Sequence, residues 1–165
     1  MTAEAPSSPT RVVELAVNLD DATGEVVGHA VQTLLDEGAL DVWTTPIQMK
    51  KQRPGVTLSV LVSADPPEAV GVTAERVIEL TGSFGVRYRD WGRRVLDRRY
   101  VTLDTPIGPV PVKVGSLAGR VLVVSPEADA VAELAQKQGL AFRRAMETAR
   151  AAAEAWRVEQ LEIRP

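Results

Sequence analysis

The sequence predicts an α+β protein, a ferredoxin-like β-α-β-β-α-β core followed by a small C-terminal β-ribbon and two helices. Three observations carry this reading. Val- and Leu-rich segments with strand-like alternation are separated by two amphipathic helical segments, in the order that the split βαβ arrangement requires. Gly38, Pro54-Gly55, Pro66-Pro67 and Gly82 punctuate those segments. The 165 residues are 45% hydrophobic and 25% charged, enough apolar side chain for a packed core.

The first strand is expected over RVVELAVNL, residues 11–19. Asp20, Asp21, Thr23, Gly24 and Glu25 follow, acidic N-cap chemistry at a helix start. Val27, Ala30, Val31, Leu34 and Leu35 recur at helical spacing, and Gly38 closes that helix. A strand-like run spans Leu40 to Met49, KKQRPG (50–55) forms a charged turn, and Val56, Leu58, Val60 and Val62 alternate as a returning strand. Pro66 and Pro67 open a second helix with Val70, Ala74, Val77, Ile78 and Thr81 on one face, and Gly82 and Gly85 stop it. Val86 to Leu96 and Tyr100 to Leu103 are the next strand candidates. TPIGP (105–109) turns into a strand over Val110 to Val114, and Arg120 to Val124 adds another. Ser125 is expected to cap a third helix, and a last helix spans about Leu140 to Trp156. The domain reading is a disordered lead-in over 1–10, a ferredoxin-like domain over 11–104 and a small α+β appendage over 105–165.

Composition narrows the chemistry. There are no cysteines, which removes disulfides, thiolate catalysis and thiolate metal sites. One histidine, His29, shares a polar helix face with Glu25, Gln32 and Asp36, so a serine–histidine–acid triad and a His-rich nickel or zinc site within one chain are both disfavoured. No apolar run approaches the ~18 residues of a membrane span, and MTAEAPSSPT lacks the apolar stretch of a signal peptide. A soluble, cytoplasmic protein is the expectation.

The formal charge of -3 is unevenly distributed. Between Arg87 and Arg99 lie six arginines and two aspartates, so the rest of the chain is strongly acidic. A basic strip on an acidic protein suits a small anionic ligand better than a long nucleic acid. Lys50, Lys51 and Arg53 crowd one turn; they form either a solvated loop guarding a sheet edge or a phosphate grip, with lysines as mobile point charges and arginine as a fork. Arg87, Arg89, Trp91 and Arg93 would share one strand face, either salt-bridged and exposed or able to grip phosphate and stack a base. Asp20 and Asp21 either compensate a helix dipole or hold a hard cation beside a triphosphate. No Gly-x-Gly-x-x-Gly or P-loop signature is present.

The segments NLDDATGEVVG (18–28), GALDVWTTPIQMKKQRPG (38–55), GVR (85–87), RRVLDR (93–98), TPIGPVPVKV (105–114) and SPE (125–127) resemble the nickel-insertion family of the LarC type, over its C-terminal half and from about Val13 to Ala149 here. That resemblance implies a component of nickel-pincer nucleotide synthesis, the cofactor of lactate racemase and related enzymes. In this family nickel is inserted into a pyridinium bisthiocarboxylate mononucleotide with CTP and a divalent cation, Mg²⁺ or Mn²⁺. It implies that this half binds CTP and oligomerises, as a trimer or hexamer. It places the triphosphate and its metal most plausibly at Asp20, Asp21, Lys50, Lys51, Arg53, Arg87, Arg93 and Arg98. The family's histidine-rich N-terminal half has no counterpart here, so a separate nickel-binding partner chain is expected. The alternative reading is a non-catalytic oligomeric module for a nucleotide or small anion.

Overall fold

The computed structural model describes residues 11–162. The elements are β1 (Arg11–Leu19), α1 (Gly24–Asp36), β2 (Asp41–Gln48), a 3₁₀ turn (Lys50–Gln52), β3 (Pro54–Ser63), α2 (Glu68–Thr81), β4 (Arg87–Gly92), β5 (Asp97–Thr105), β6 (Gly108–Leu117), β7 (Arg120–Pro126), α3 (Ala128–Lys137) and α4 (Phe142–Glu162). The chain divides into two compact units after Arg94.

In the first unit the four strands form an antiparallel sheet in the order β2-β3-β1-β4. β3 lies between β1 and β2, so the first βαβ unit is split by the third strand, as the element order predicts. Strand alternation sorts the two faces. Val13, Leu15, Val17 and Leu19 of β1 and Leu58, Val60 and Val62 of β3 enter one core with Ala30 and Leu34 of α1 and Val77 of α2. Leu15, Leu34, Leu58, Val60 and Val77 are fully buried; each contributes about 1.5–3 kcal/mol of hydrophobic stabilisation. The opposite sheet face carries Glu14, Ala16 and Asn18 of β1 and has no helix of this unit over it among the described residues.

Local chemistry sets the helix ends. Thr23, rather than Asp20 or Asp21, caps α1 by accepting from the Val26 N–H. This leaves Asp20 outside the helix, available to other partners. Gly82, at φ 70°, ends α2 in the left-handed conformation that glycine adopts without a Cβ penalty.

The second unit has its own sheet, β5-β6-β7, and its own core of Val110, Val112 and Val114 against Val131, Ala135, Ala145, Ala149 and Ala153. Three sequence expectations change here. The strand expected over 86–96 ends at Gly92, which pairs with Arg11 of β1. The next strand starts at Asp97 and pairs with β6, so the division falls after Arg94 and not at 104/105. Ser125 does not cap α3: β7 continues through Pro126, whose residue is buried, and the helix begins at Ala128. No described helix is long and apolar enough to cross a membrane. The expected lead-in over 1–10 lies outside the described residues.

Candidate functional site

The end of the sheet where β1 stops gathers charge. Leu19 pairs with Val56, so Asp20 emerges beside Gly55 and the turn that joins β2 to β3. The approach is close: a Cβ on Gly55 would lie 2.6 Å from the Leu19 carbonyl oxygen and 3.4 Å from Asp20 Cα. Only glycine allows the two chains to meet here. The turn itself is held in an unfavourable backbone state, with Lys51 at φ 60° and Gln52 at φ 59°, and is closed by Met49 N–H donating to the Arg53 carbonyl at 2.9 Å. Non-glycine residues in that region each cost on the order of 1–3 kcal/mol.

Arg53 reaches Asp20, with Nη2 2.8 Å from Oδ2. The contact is an ion pair without hydrogen-bond alignment, so this buried oxygen has no hydrogen-bond donor among the described residues. Lys50 and Lys51 are exposed on the same turn and make no ion pair with a described carboxylate. Asp21 is exposed one residue further on. Thus Asp20, Asp21, Lys50, Lys51 and Arg53 are brought to one end of one sheet.

The open face of the sheet continues from that end. Arg87 of β4 lies opposite Ala16 and donates to Asn18 Oδ1 at 2.8 Å. Thr57 donates to the same oxygen, also at 2.8 Å. Two residues down β1, Glu14 Oε2 accepts from Arg89 Nε at 3.2 Å, Arg89 Nη2 at 3.0 Å and Trp91 Nε1 at 2.9 Å, while Oε1 accepts from Ser59 at 3.3 Å. Burial works to raise the Glu14 pKa, but the donors from Trp91, Arg89 and Ser59 together outweigh it and hold the carboxyl below its ordinary value. Arg89 stacks 4.3 Å over Trp91. Glu14, Thr57, Ser59, Arg87 and Arg89, with Trp43 and Thr45 on β2, bound a groove of about 540 Å³.

Two sequence candidates fall elsewhere. β4 runs antiparallel to β1 and ends opposite Arg11, so Arg93 lies at the far end of the sheet from Asp20, roughly 30–35 Å along the strand. Arg98 belongs to the second unit, on β5 opposite Gly115. His29 is exposed on α1, with Nε2 3.5 Å from Thr33 Oγ1. Among the described residues no three of His, Cys, Asp and Glu are grouped to hold a metal. Glu14, Trp43, Thr57 and Ser59 are the groove residues that sequence reasoning passes over. The only local signal is that β2 and β3 carry Trp43, Thr57 and Ser59 on the alternation opposite to the core positions Val42, Leu58 and Val60.

The comparisons with known proteins agree with one another. A Myxococcus xanthus relative is 42% identical over 135 residues, covering 82% of this chain and 34% of the relative. The pyridinium-3,5-bisthiocarboxylic acid mononucleotide nickel insertion proteins of Lactiplantibacillus plantarum and Geobacillus kaustophilus are each 39% identical; they match 80% and 82% of this chain and are themselves covered to 30% and 32%. The chain therefore spans about a third of the length of the curated relatives it matches. A solved structure of LarC2, the C-terminal domain of a cyclometallase involved in the synthesis of the NPN cofactor of lactate racemase, superposes with a TM-score of 0.80 at 37% identity, over 87% of this chain and 97% of that one. A crystal structure of a Methanopyrus kandleri protein superposes with a TM-score of 0.66 at 33% identity, over 87% of this chain and 86% of that one. With residues 1–146 matching the nickel insertion protein family, the chain belongs to that family, and its fold is that of the LarC C-terminal domain.

Proposed function

We propose that this chain is the CTP-binding module of a nickel-insertion system that makes the nickel-pincer nucleotide. The observation that supports the reading best is the strained, lysine-rich turn 50–53 set against the Asp20 carboxylate, whose Oδ2 is buried. Three cations on one tight turn repel one another, and a polyphosphate relieves that repulsion while accepting charge-assisted hydrogen bonds. Lys50 and Lys51 would neutralise phosphate as point charges; Arg53 would exchange part of its contact with Asp20 for a bidentate phosphate contact. Arg87, at the same end of the sheet, would reach the phosphate nearest the groove.

The carboxylate chemistry fits a divalent cation carried on the triphosphate. Asp20 Oδ2 is an acceptor-only atom, buried and without a hydrogen bond among the described residues, and Mg²⁺ or Mn²⁺ is commonly held by one or two carboxylates plus phosphate oxygens. When bound, the metal supplies charge neutralisation between the phosphates and Asp20; Asp21 is the second carboxylate within the same bend. Nickel is cargo in this reading, bound and delivered with a histidine-rich partner.

The test is calorimetry of MgCTP binding to the wild-type chain and to the Lys50→Ala/Lys51→Ala/Arg53→Ala variant. A charge-assisted contact contributes about 1.5–3 kcal/mol, so even one lost contact weakens binding roughly 10- to 150-fold. Unchanged affinity in the triple variant would move the phosphate site away from this turn.

A further inference from the structure

We infer that a second groove, between α1 and α2 on the helix side of the first unit, docks a basic amphipathic segment of a partner protein. It lies across the sheet from Glu14 and Trp43, and nothing in the nucleotide reading uses it.

The groove is built on the core. Its base is Leu34 and Val62, both buried core residues, and Ala39, Ala69 and Val72 line it above them. Its volume is about 470 Å³, within the range of binding sites. Val72 stands at the lip, 66% exposed. Valine is a poor choice for a solvated helix face, because its branched side chain loses rotamer freedom there and leaves apolar surface in water. Ala69, Val72, Arg76 and Glu79 recur at helical spacing, so one stripe of α2 forms the long wall. From Ala69 to Glu79 that wall is about 15 Å long. An apolar trough of that length between two helices matches an amphipathic helix laid in a groove, which anchors through residues at i and i+3 or i+4.

The rim specifies the charge of the partner. Glu37, Glu75 and Glu79 surround the trough. Arg76 is the one cation that lines it, and it serves two of them: Nε donates to Glu37 Oε1 at 3.0 Å, and Nη1 to Glu79 Oε2 at 3.1 Å. One guanidinium between two carboxylates leaves a net negative charge. Glu75 is exposed and pairs with no cation among the described residues.

The helices add to this field. α1 ends at the groove with Asp36 and its cap Glu37, and α2 carries Glu79 in its last turn; neither last turn holds a basic residue. Lysine or arginine is the usual complement to the negative end of a helix dipole. Residues 22–41 and 64–82 together hold eight carboxylates and one arginine. A sequence that breaks this charge rule on both helices, beside a trough floored with core residues, is completed by cations from outside. The occupant therefore offers an aliphatic side chain to the trough, with Lys or Arg beside it for Glu37, Glu75 and Glu79.

The experiment is an NMR titration of the isotope-labelled full chain with a short synthetic helical peptide that carries leucines at i and i+4 flanked by arginines. The backbone amides of Leu34 to Ala39 and of Ala69 to Glu79 should shift together, while those of β4 stay in place. Replacing the leucines by alanine should weaken binding roughly 10-fold, and Val72→Ser should weaken it in the same direction. Glu75→Lys should weaken it roughly 2- to 5-fold, the range for one exposed ion pair. Val72 and Glu75 are exposed, so both variants keep the fold, which an unchanged remainder of the spectrum verifies. No shifts, or shifts centred outside the groove, would overturn the docking site. So would equal binding by the alanine peptide or by spermidine, which would reduce the face to a diffuse counter-ion surface. Groove amides that move on dilution of the chain alone would assign the trough to a second copy and overturn a partner protein as its occupant.

Discussion

Glu14 shows how a single side chain can be costly to bury and still stabilise. Its side chain is 13% exposed, and removing a carboxylate from water opposes ionisation. The donors from Trp91, Arg89 and Ser59 reverse that balance, so the folded-state pKa lies below the ordinary glutamate value of 4.5. A group whose pKa is depressed by folding contributes stability that is fully present above its unfolded pKa and is lost as pH falls through the folded pKa. The contribution of Glu14 should thus be intact at neutral pH and disappear below about pH 4.5. Urea denaturation at pH 7 and in the acid range is the measurement. Wild type should lose more stability on acidification than Glu14→Gln, which cannot titrate. Equal acid limbs in the two proteins would mean that the donors do not favour the ionised form.

At the scale of elements, the β2–β3 turn and the end of β1 form one device. Gly55 lets β3 start against the Leu19 carbonyl, and this contact positions Arg53 on Asp20. Gly55→Ala would place a methyl 2.6 Å from a backbone oxygen that the β1–β3 pairing holds in place. Overpacking of this kind costs about 1–3 kcal/mol, to be read as a lowered denaturation midpoint. An unchanged midpoint would show that the turn can move away. Much of this architecture is legible in the chain. Val56, Leu58, Val60 and Val62 alternate as a strand should, and the last three are core residues. The charged turn and its neighbouring aspartates are visible as composition. The groove is not, because Glu14, Trp43, Ser59 and Arg89 become neighbours only through the register of β1 with β3 and β4 and of β2 with β3. The same limit explains Arg93 and Arg98. Read in sequence Arg93 extends a basic strand, and Arg98 is implied by the family resemblance alone; in space β4 has ended at Gly92 and β5 belongs to another sheet.

At the scale of the whole molecule, two units with separate cores stand in a chain that spans about a third of its curated relatives. This bears on what the chain can do with nickel. Nickel(II) is well served by imidazole and thiolate ligands. The sequence has one histidine and no cysteine, and among the described residues no three potential ligands are grouped. His29 is exposed on α1, 3.5 Å from Thr33 Oγ1. Asp20 is committed to Arg53 at 2.8 Å, and its oxygen chemistry matches a hard cation on a triphosphate better than nickel. On the proposed reading, the nucleotide and the metal cargo are handled by different protein surfaces, with this chain supplying the first. Purified chain mixed with CTP, Mg²⁺, nickel and the bisthiocarboxylate acceptor should give no nickel complex by absorbance. On the proposed two-component reading, product should appear when a histidine-rich partner protein is added. Full product formation by this chain alone would overturn the two-component reading. His29→Ala would then distinguish a histidine-dependent nickel site from one built on carboxylates, since only the first would lose activity.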